Sequence, residues 1–189
     1  MLLEAAAQEF GRHGYIGANI NHISLAAGLA KGTIYNYFES KRALMLALID
    51  EIAAAHFEFI ADQVSQESNA VRRLERFFEA GFDWVTNHLA QTKMTFITLN
   101  GPEIEFKQYM YQAYQPVLQL VGKDILATGM EQGIFRQVEA ASTAGLLMTI
   151  YLGSISYLDE QGRLWLAPSQ VSDFVLSALR QEIPAKKAG

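Results

Sequence analysis

The sequence contains no cysteine. That absence removes disulfides, thiolate metal ligands and cysteine nucleophiles together, and it suits the reducing cytoplasm. Charge is sparse: 19% of the 189 residues are charged, 15 basic against 20 acidic, for a net charge of −5. A general electrostatic affinity for nucleic acid is therefore not expected of the chain as a whole. No stretch reaches the roughly 18 uncharged apolar residues of a membrane span. The opening Met1 to Phe10 carries Glu4 and Glu9 among its alanines, unlike the basic start and apolar run of a secretory signal. Signatures of catalysis are missing too. A di-iron bundle needs Glu-x-x-His pairs, but the residues three before His13, His22, His56 and His88 are Phe10, Asn19, Ala53 and Val85. There is no His-Glu-x-x-His, no phosphate loop and no Gly-x-Ser-x-Gly, so neither an enzyme nor a metal or other cofactor is expected.

What is present is apolar. Half of the residues are hydrophobic, enough for a sizeable core and too many for a disordered chain. The length suits a small module attached to a larger one. Charge divides unevenly: residues 1–49 hold four basic groups (Arg12, Lys31, Lys41, Arg42) against three acidic (Glu4, Glu9, Glu39), while the remainder is acidic.

Helical periodicity runs through the chain. Leu3, Ala6, Ala7 and Phe10 share one face of a first helix, about Leu2 to His13, closed by Gly11 and Gly14. Asn19 is a good N-cap for a second, with Ile20, Ile23 and Ala27 on its apolar face and Gly28 at its end. Lys31 to Phe38 reads as a third short helix with Ile34 and Phe38 turned inward, and Ser40 caps a long fourth with Leu44, Leu48, Ile52 and Ala55 in its stripe. From Asn69, a further helix aligns Leu74, Phe77, Phe78, Phe82 and Val85. Met94 to Leu99 has strand-like composition but no partner strand, and is read as a buried short helix. Gly101 and Pro102 interrupt the pattern before a helix from about Ile104 to Gln132, which Pro116 should kink or divide. Two more run from about Glu139 to Leu158 and from Pro168 to Gln181, and the tail Ala185 to Gly189 looks frayed.

Two short helices joined by a turn at Gly28 are what a helix-turn-helix requires: Ile23, Leu29 and Ile34 pack the pair, and glycine permits a left-handed turn. The residues go further. Ala6, Phe10, Gly14, Tyr15, Ile23, Ala27, Gly28 and Leu29, then KGTIYNYFESKRAL over residues 31–44, resemble the N-terminal domain of the tetracycline-repressor (TetR) family of transcriptional regulators. The resemblance implies that the third helix reads the major groove. Lys31 and Gly32 would meet a phosphate or base edge, and Thr33 and Asn36 would face the groove, where Asn suits an adenine edge. Tyr35 and Tyr37 would contact phosphate or thymine methyls. Lys41, and Asn19 with the free amides of the second helix, would anchor the DNA backbone. Tyr35 also suits interhelical packing, and Thr33 and Lys41 suit plain solvent-facing roles. Two positions depart from the family pattern: Ala30 replaces the usual Ser or Thr cap, and Ser24 stands where a small Ala is usual. The basic arm that many members carry ahead of the first helix is not seen, so either the start is trimmed or minor-groove contacts matter less here.

Beyond Leu48 the resemblance covers architecture alone. It implies an all-α protein, with an N-terminal three-helix helix-turn-helix domain over residues 1–48 and a larger helical effector-binding and dimerisation domain over 49–189. The last two helices would form a four-helix bundle with those of a second subunit. The chain's own pattern agrees, because an apolar stripe of Ala144, Leu147, Met148, Tyr151, Leu152, Ile155 and Leu158 is flanked by a small-residue strip of Gly145, Thr149, Gly153 and Ser156. That is more face than one monomeric core needs. The interface is expected at Leu147, Leu152, Gly153, Ile155, Val171, Phe174, Val175 and Ala178. Trp84, Met94, Phe96, Phe106, Met110, Tyr114, Met148 and Tyr151, with His88 as a polar contact, suit a small apolar effector, although such a stripe equally suits plain core. The expected whole is a cytoplasmic, homodimeric repressor released from a palindromic double-stranded DNA operator by that effector. A non-catalytic helical scaffold that binds protein is the alternative.

Overall fold

The structure is a computed structural model that describes residues 1–157, 161 and 163–181. Leu158 of the expected stripe and the tail Ala185 to Gly189 lie outside the described residues. Among those described there is no strand, and Phe135 and Arg180 form an isolated antiparallel bridge. The chain forms two compact units, Met1–Glu58 with Trp84–Gln115 and Phe59–Asp83 with Pro116–Gly189.

In the first unit, α1 (Leu2–Gly17) outlasts its expected end at His13 because Gly14, at φ 65°, kinks the chain without stopping it. α2 (Ile20–Ala26) starts as read from the sequence, with Asn19 Oδ1 accepting from the Asn21 N–H at 2.9 Å. Gly28 then turns at φ 71°. The third helix is shorter than expected. Only Thr33–Asn36 coil, as one 3-10 turn, because Gly32 sits at φ 87° and that left-handed backbone keeps Lys31 out of the helix. The Ser40 hydroxyl accepts from Ala43 N–H at 3.0 Å to open α3 (Lys41–Ser65). α4 (Ala70–Asn87) follows, then α5 (Leu89–Asn100), which contains Met94 to Leu99 as a helix, and α6 (Ile104–Ala113).

Phe10, Ile23, Ile34, Leu44, Leu48, Met94, Phe106 and Met110 share one core. Each such side chain contributes about 1.5–3 kcal/mol by burial. α1 lies close on α5 at Gly11, where a Cβ would stand 3.1 Å from Met94 N and 3.2 Å from Ala90 O.

The second unit takes α3 from Phe59 and α4 as far as Asp83. The helix expected from Ile104 to Gln132 is divided where Pro116 predicts: α6 ends at Ala113 and α7 (Gln115–Gln119) begins after Tyr114. Proline lacks the N–H needed at the seam, and its ring crowds the preceding turn. α7 widens into a π-helical stretch, Leu120–Ala127, and closes with α8 (Thr128–Glu131). α9 (Ala140–Ser154) is opened by the Glu139 carboxylate, which accepts from Ala141 and Ser142 N–H at 3.0 and 2.7 Å. α10 (Pro168–Leu179) completes the unit. α4 meets α9 at Gly81, where any Cβ would lie 2.5 Å from the Tyr151 ring, and the Tyr151 hydroxyl donates to Gly81 O at 3.1 Å.

Candidate nucleic-acid interface and effector site

The turn after Gly32 sorts its side chains by their direction. Ile34 is 1% exposed and roots the 3-10 turn in the first unit's core, whereas Tyr35 and Tyr37 are 55% and 67% exposed. An aromatic ring used for interhelical packing is buried, so these two rings are displayed rather than packed. Lys31 and Asn36 stand exposed beside them, and Gly32 and Thr33 are half-buried. Together they form one outward surface of mixed hydrogen-bonding and aromatic character.

Lys41 has a more particular place than a solvent-facing cation. Its ammonium donates to the carbonyls of Ile16 at 3.0 Å and Ala18 at 2.6 Å, and lies 5.0 Å from the centre of the Tyr15 ring. It thereby pins the α1–α2 turn to the start of α3, and with it Asn19, which is exposed.

A second group gathers elsewhere in the first unit. Trp84 and His88, one turn apart at the end of α4 and just past it, stack at 3.8 Å between ring centres. The His88 Nδ1 donates to Trp84 O at 3.0 Å. His56 of α3 stacks on the other partner, 5.2 Å from Trp84 and 11° from parallel, with its Nδ1 3.3 Å from the Tyr114 hydroxyl. Burial, with a smaller contribution from His88, pushes the His56 imidazole down to about 3, so it is neutral at physiological pH. Burial likewise pushes the Tyr114 hydroxyl up, against the lowering effect of its bond to Thr95. The cluster thus sets two neutral polar groups, His56 and Tyr114, among stacked aromatic rings.

Trp84, His88 and Tyr114 were read from the sequence; His56 was missed. Its signal was position, four residues after Ile52 and seven after Ile49 on the buried stripe of α3. Phe96 is half-buried on α5, while Met94, Phe106 and Met110 lie in the core that also holds Ile34. Met148 and Tyr151 belong to the second unit, where the Tyr151 ring lies 5.6 Å from that of Phe77.

Residues 2–48 match the family model described as bacterial regulatory proteins, tetR family. Over 183 residues the chain is 30% identical to the transcriptional repressor AcnR of Corynebacterium efficiens, an alignment covering 95% of this chain and 91% of AcnR. The chain belongs to the TetR family. Solved structures share its fold, among them FadR and AibR. FadR from Bacillus subtilis in complex with stearoyl-CoA has a TM-score of 0.78 at 19% identity, over 96% of this chain and 97% of that one. AibR in complex with isovaleryl coenzyme A and operator DNA has a TM-score of 0.74 at 20% identity, also over 96% and 97%.

As a TetR-family member the protein is a transcriptional regulator with an N-terminal helix-turn-helix and not an enzyme. The scaffold alternative finds no support in these likenesses. The TetR fold places the residues expected at a subunit interface in two classes. Leu147, Ile155, Val171 and Val175 point into the protomer's own second unit, all buried. Gly153, Phe174 and Ala178 are exposed and Leu152 is half-buried. Leu146, not among the expected residues, is 64% exposed on α9, as Phe174 is 67% exposed on α10; the i, i+3, i+4 rule finds the buried stripe and passes over an exposed apolar residue. Among the described residues no helix is long and apolar enough to cross a membrane, and no cluster of three or more His, Asp or Glu could hold a metal ion.

Proposed function

We propose that this regulator binds a pseudo-palindromic DNA operator as a homodimer in the cytoplasm and that a small apolar effector releases it. The observation that carries the reading is the outward display of Tyr35, Asn36 and Tyr37 from a turn whose Ile34 is locked in the core. Lys31, Gly32 and Thr33 complete the groove-reading surface, with Asn19 and Lys41 along the DNA backbone. We assign residues 1–48 to DNA binding and 49–189 to effector binding and pairing, the latter through α9 and α10.

The effector site we assign centres on Trp84, His88 and Tyr114, joined by His56, with Phe96 at its margin. Met94, Phe106 and Met110 form the packed link from there to Ile34, while Met148 and Tyr151 line the second unit. Neutral polar groups on aromatic walls suit a ligand with an uncharged polar handle and an apolar tail. The acyl chain and thioester carbonyl of the acyl-CoAs named with FadR and AibR have that chemistry, while the anionic phosphates of the CoA moiety would lie outside this cluster, and an acyl-CoA is the ligand class we propose. α3 runs from Lys41 past His56, so an effector that favours one position of α3 alters operator affinity by its differential affinity for the two states.

The test uses a duplex selected from random DNA with the full chain. Lys31→Ala and Tyr37→Ala should each weaken its retention in a gel about tenfold or more, with melting temperature unchanged, since both side chains are exposed. Stearoyl-CoA should raise the melting temperature and release the duplex. Retention unchanged in both variants contradicts the DNA reading, and absence of any acyl-CoA shift contradicts the effector class.

A further inference from the structure

Glu9 on α1 gathers groups that the operator surface leaves unused. One carboxylate oxygen accepts the backbone N–H of Asn19 at 2.9 Å, and the same oxygen lies 3.4 Å from His22 Nδ1. The other lies 4.0 Å from His13 Nε2. The Glu9 side chain is 12% exposed, while those of His13 and His22 are 51% and 65% exposed. A shielded anion therefore holds a residue assigned to the operator backbone and faces two solvent-open imidazoles on adjacent helices.

We propose that the Glu9, His13 and His22 group couples operator binding to proton uptake, so that affinity for DNA rises as the pH falls. The inference rests on the operator reading above. Its force comes from charge. Residues 1–48 carry four cations and three anions, a balance of only +1, and two imidazolium groups would raise that to +3 in each protomer. Every cation that neutralises a phosphate adds about 0.9 to the logarithmic salt slope of binding. Of the other charged groups on α1, at the start of α3 and on α5, Glu4 on α1 is an anion that accepts from Gln8 and Gln91, while Arg12 on α1, Lys41 with its ammonium on the Ile16 and Ala18 carbonyls, Arg42 paired with Glu105, and Lys93 on α5 are cations. The cations oppose imidazolium formation in the free protein, and Glu9 and Glu4 favour it. A phosphate backbone adds to Glu9. Protons on the two imidazoles are then held more firmly in the complex than in the free chain, so binding is linked to proton uptake and strengthens as the pH falls.

The experiment measures fluorescence anisotropy of the selected duplex at fixed ionic strength, at about pH 6 and about pH 8, chosen to bracket the histidine range. The full chain should bind about tenfold more tightly at the lower pH, with a steeper salt slope there. The double variant His13→Gln, His22→Gln should lose that gain. Glu9→Gln keeps an acceptor for the Asn19 N–H but removes the charge, so the midpoint of the affinity profile should move to lower pH. Equal affinity of the full chain at both values overturns the proposal, as does a double variant with an undiminished gain or a Glu9→Gln profile that does not move. If no duplex is recovered at all, the operator reading fails and this inference falls with it.

Discussion

Ser24 is the one buried side chain among the described residues whose polar atom has no hydrogen-bond partner. It is 1% exposed, on the inner face of α2, at a position where the resembling family usually has alanine. A buried hydroxyl without a partner keeps its desolvation cost and gains nothing in return. Ser24→Ala should therefore raise the unfolding free energy by about 1 kcal/mol, read as a higher denaturant midpoint at constant slope. A lower midpoint would show that the hydroxyl is satisfied. His56 makes the opposite bargain, polar but held neutral. Its folded-state value lies near 3 against an ordinary 6.5, so the unfolded chain binds the proton more readily. Stability contributed by the neutral ring is complete above about pH 6.5 and falls as the pH drops toward 3, by up to about 1.4 kcal/mol per pH unit. Denaturation between those limits should show that slope in the full chain and a flatter one in His56→Phe. At this scale the sequence announced caps and turn residues, such as Asn19, Gly28 and Ser40, because their chemistry is local. It did not announce His56, whose burial is decided by α4 and α6 packing over α3.

Gly32 shows how one residue resizes an element. The apolar period of Ile34 and Phe38 fits a helix from Lys31, but the positive φ at Gly32 leaves a single 3-10 turn. The shortening brings two tyrosines outward without burying either. The division at Pro116 was legible because proline acts on its own turn; the π-helical stretch after it was not, since it arises where packing makes the helix absorb an extra residue. The face of α9 belongs to this scale too. No heavy atom lies within 4 Å of a Cβ built at Gly153, so a side chain can leave the helix there without a clash at its root and improves helix propensity. Gly153→Leu should thus leave helicity and folding intact while driving the dimer to monomer in sedimentation, if α9 and α10 meet a second copy. A variant that dimerises like the parent chain places the interface elsewhere.

For the molecule, the fold class and the family surface were legible because residues 31–44 combine rules that seldom coincide: a cation, a left-handed glycine, an inward aliphatic and two outward tyrosines. The proposed effector site was legible only as composition, since Trp84, His88 and Tyr114 come together with His56 through three separate helices. The His56 cluster and the turn that displays Tyr35 and Tyr37 belong to the same compact unit, joined by α3 and by the core of Phe10, Ile34, Leu44, Met94 and Phe106, which is what the proposed regulation requires. A chain without cysteine allows the most direct test. With Glu39→Cys as the single attachment point, exposed and next to Phe38, the distance between two spin labels in the dimer can be measured with and without operator DNA. The account predicts a narrow distribution near the roughly 34–36 Å of one helical repeat on DNA, displaced when stearoyl-CoA is added. No interspin distance, or one that ignores both DNA and acyl-CoA, would contradict it.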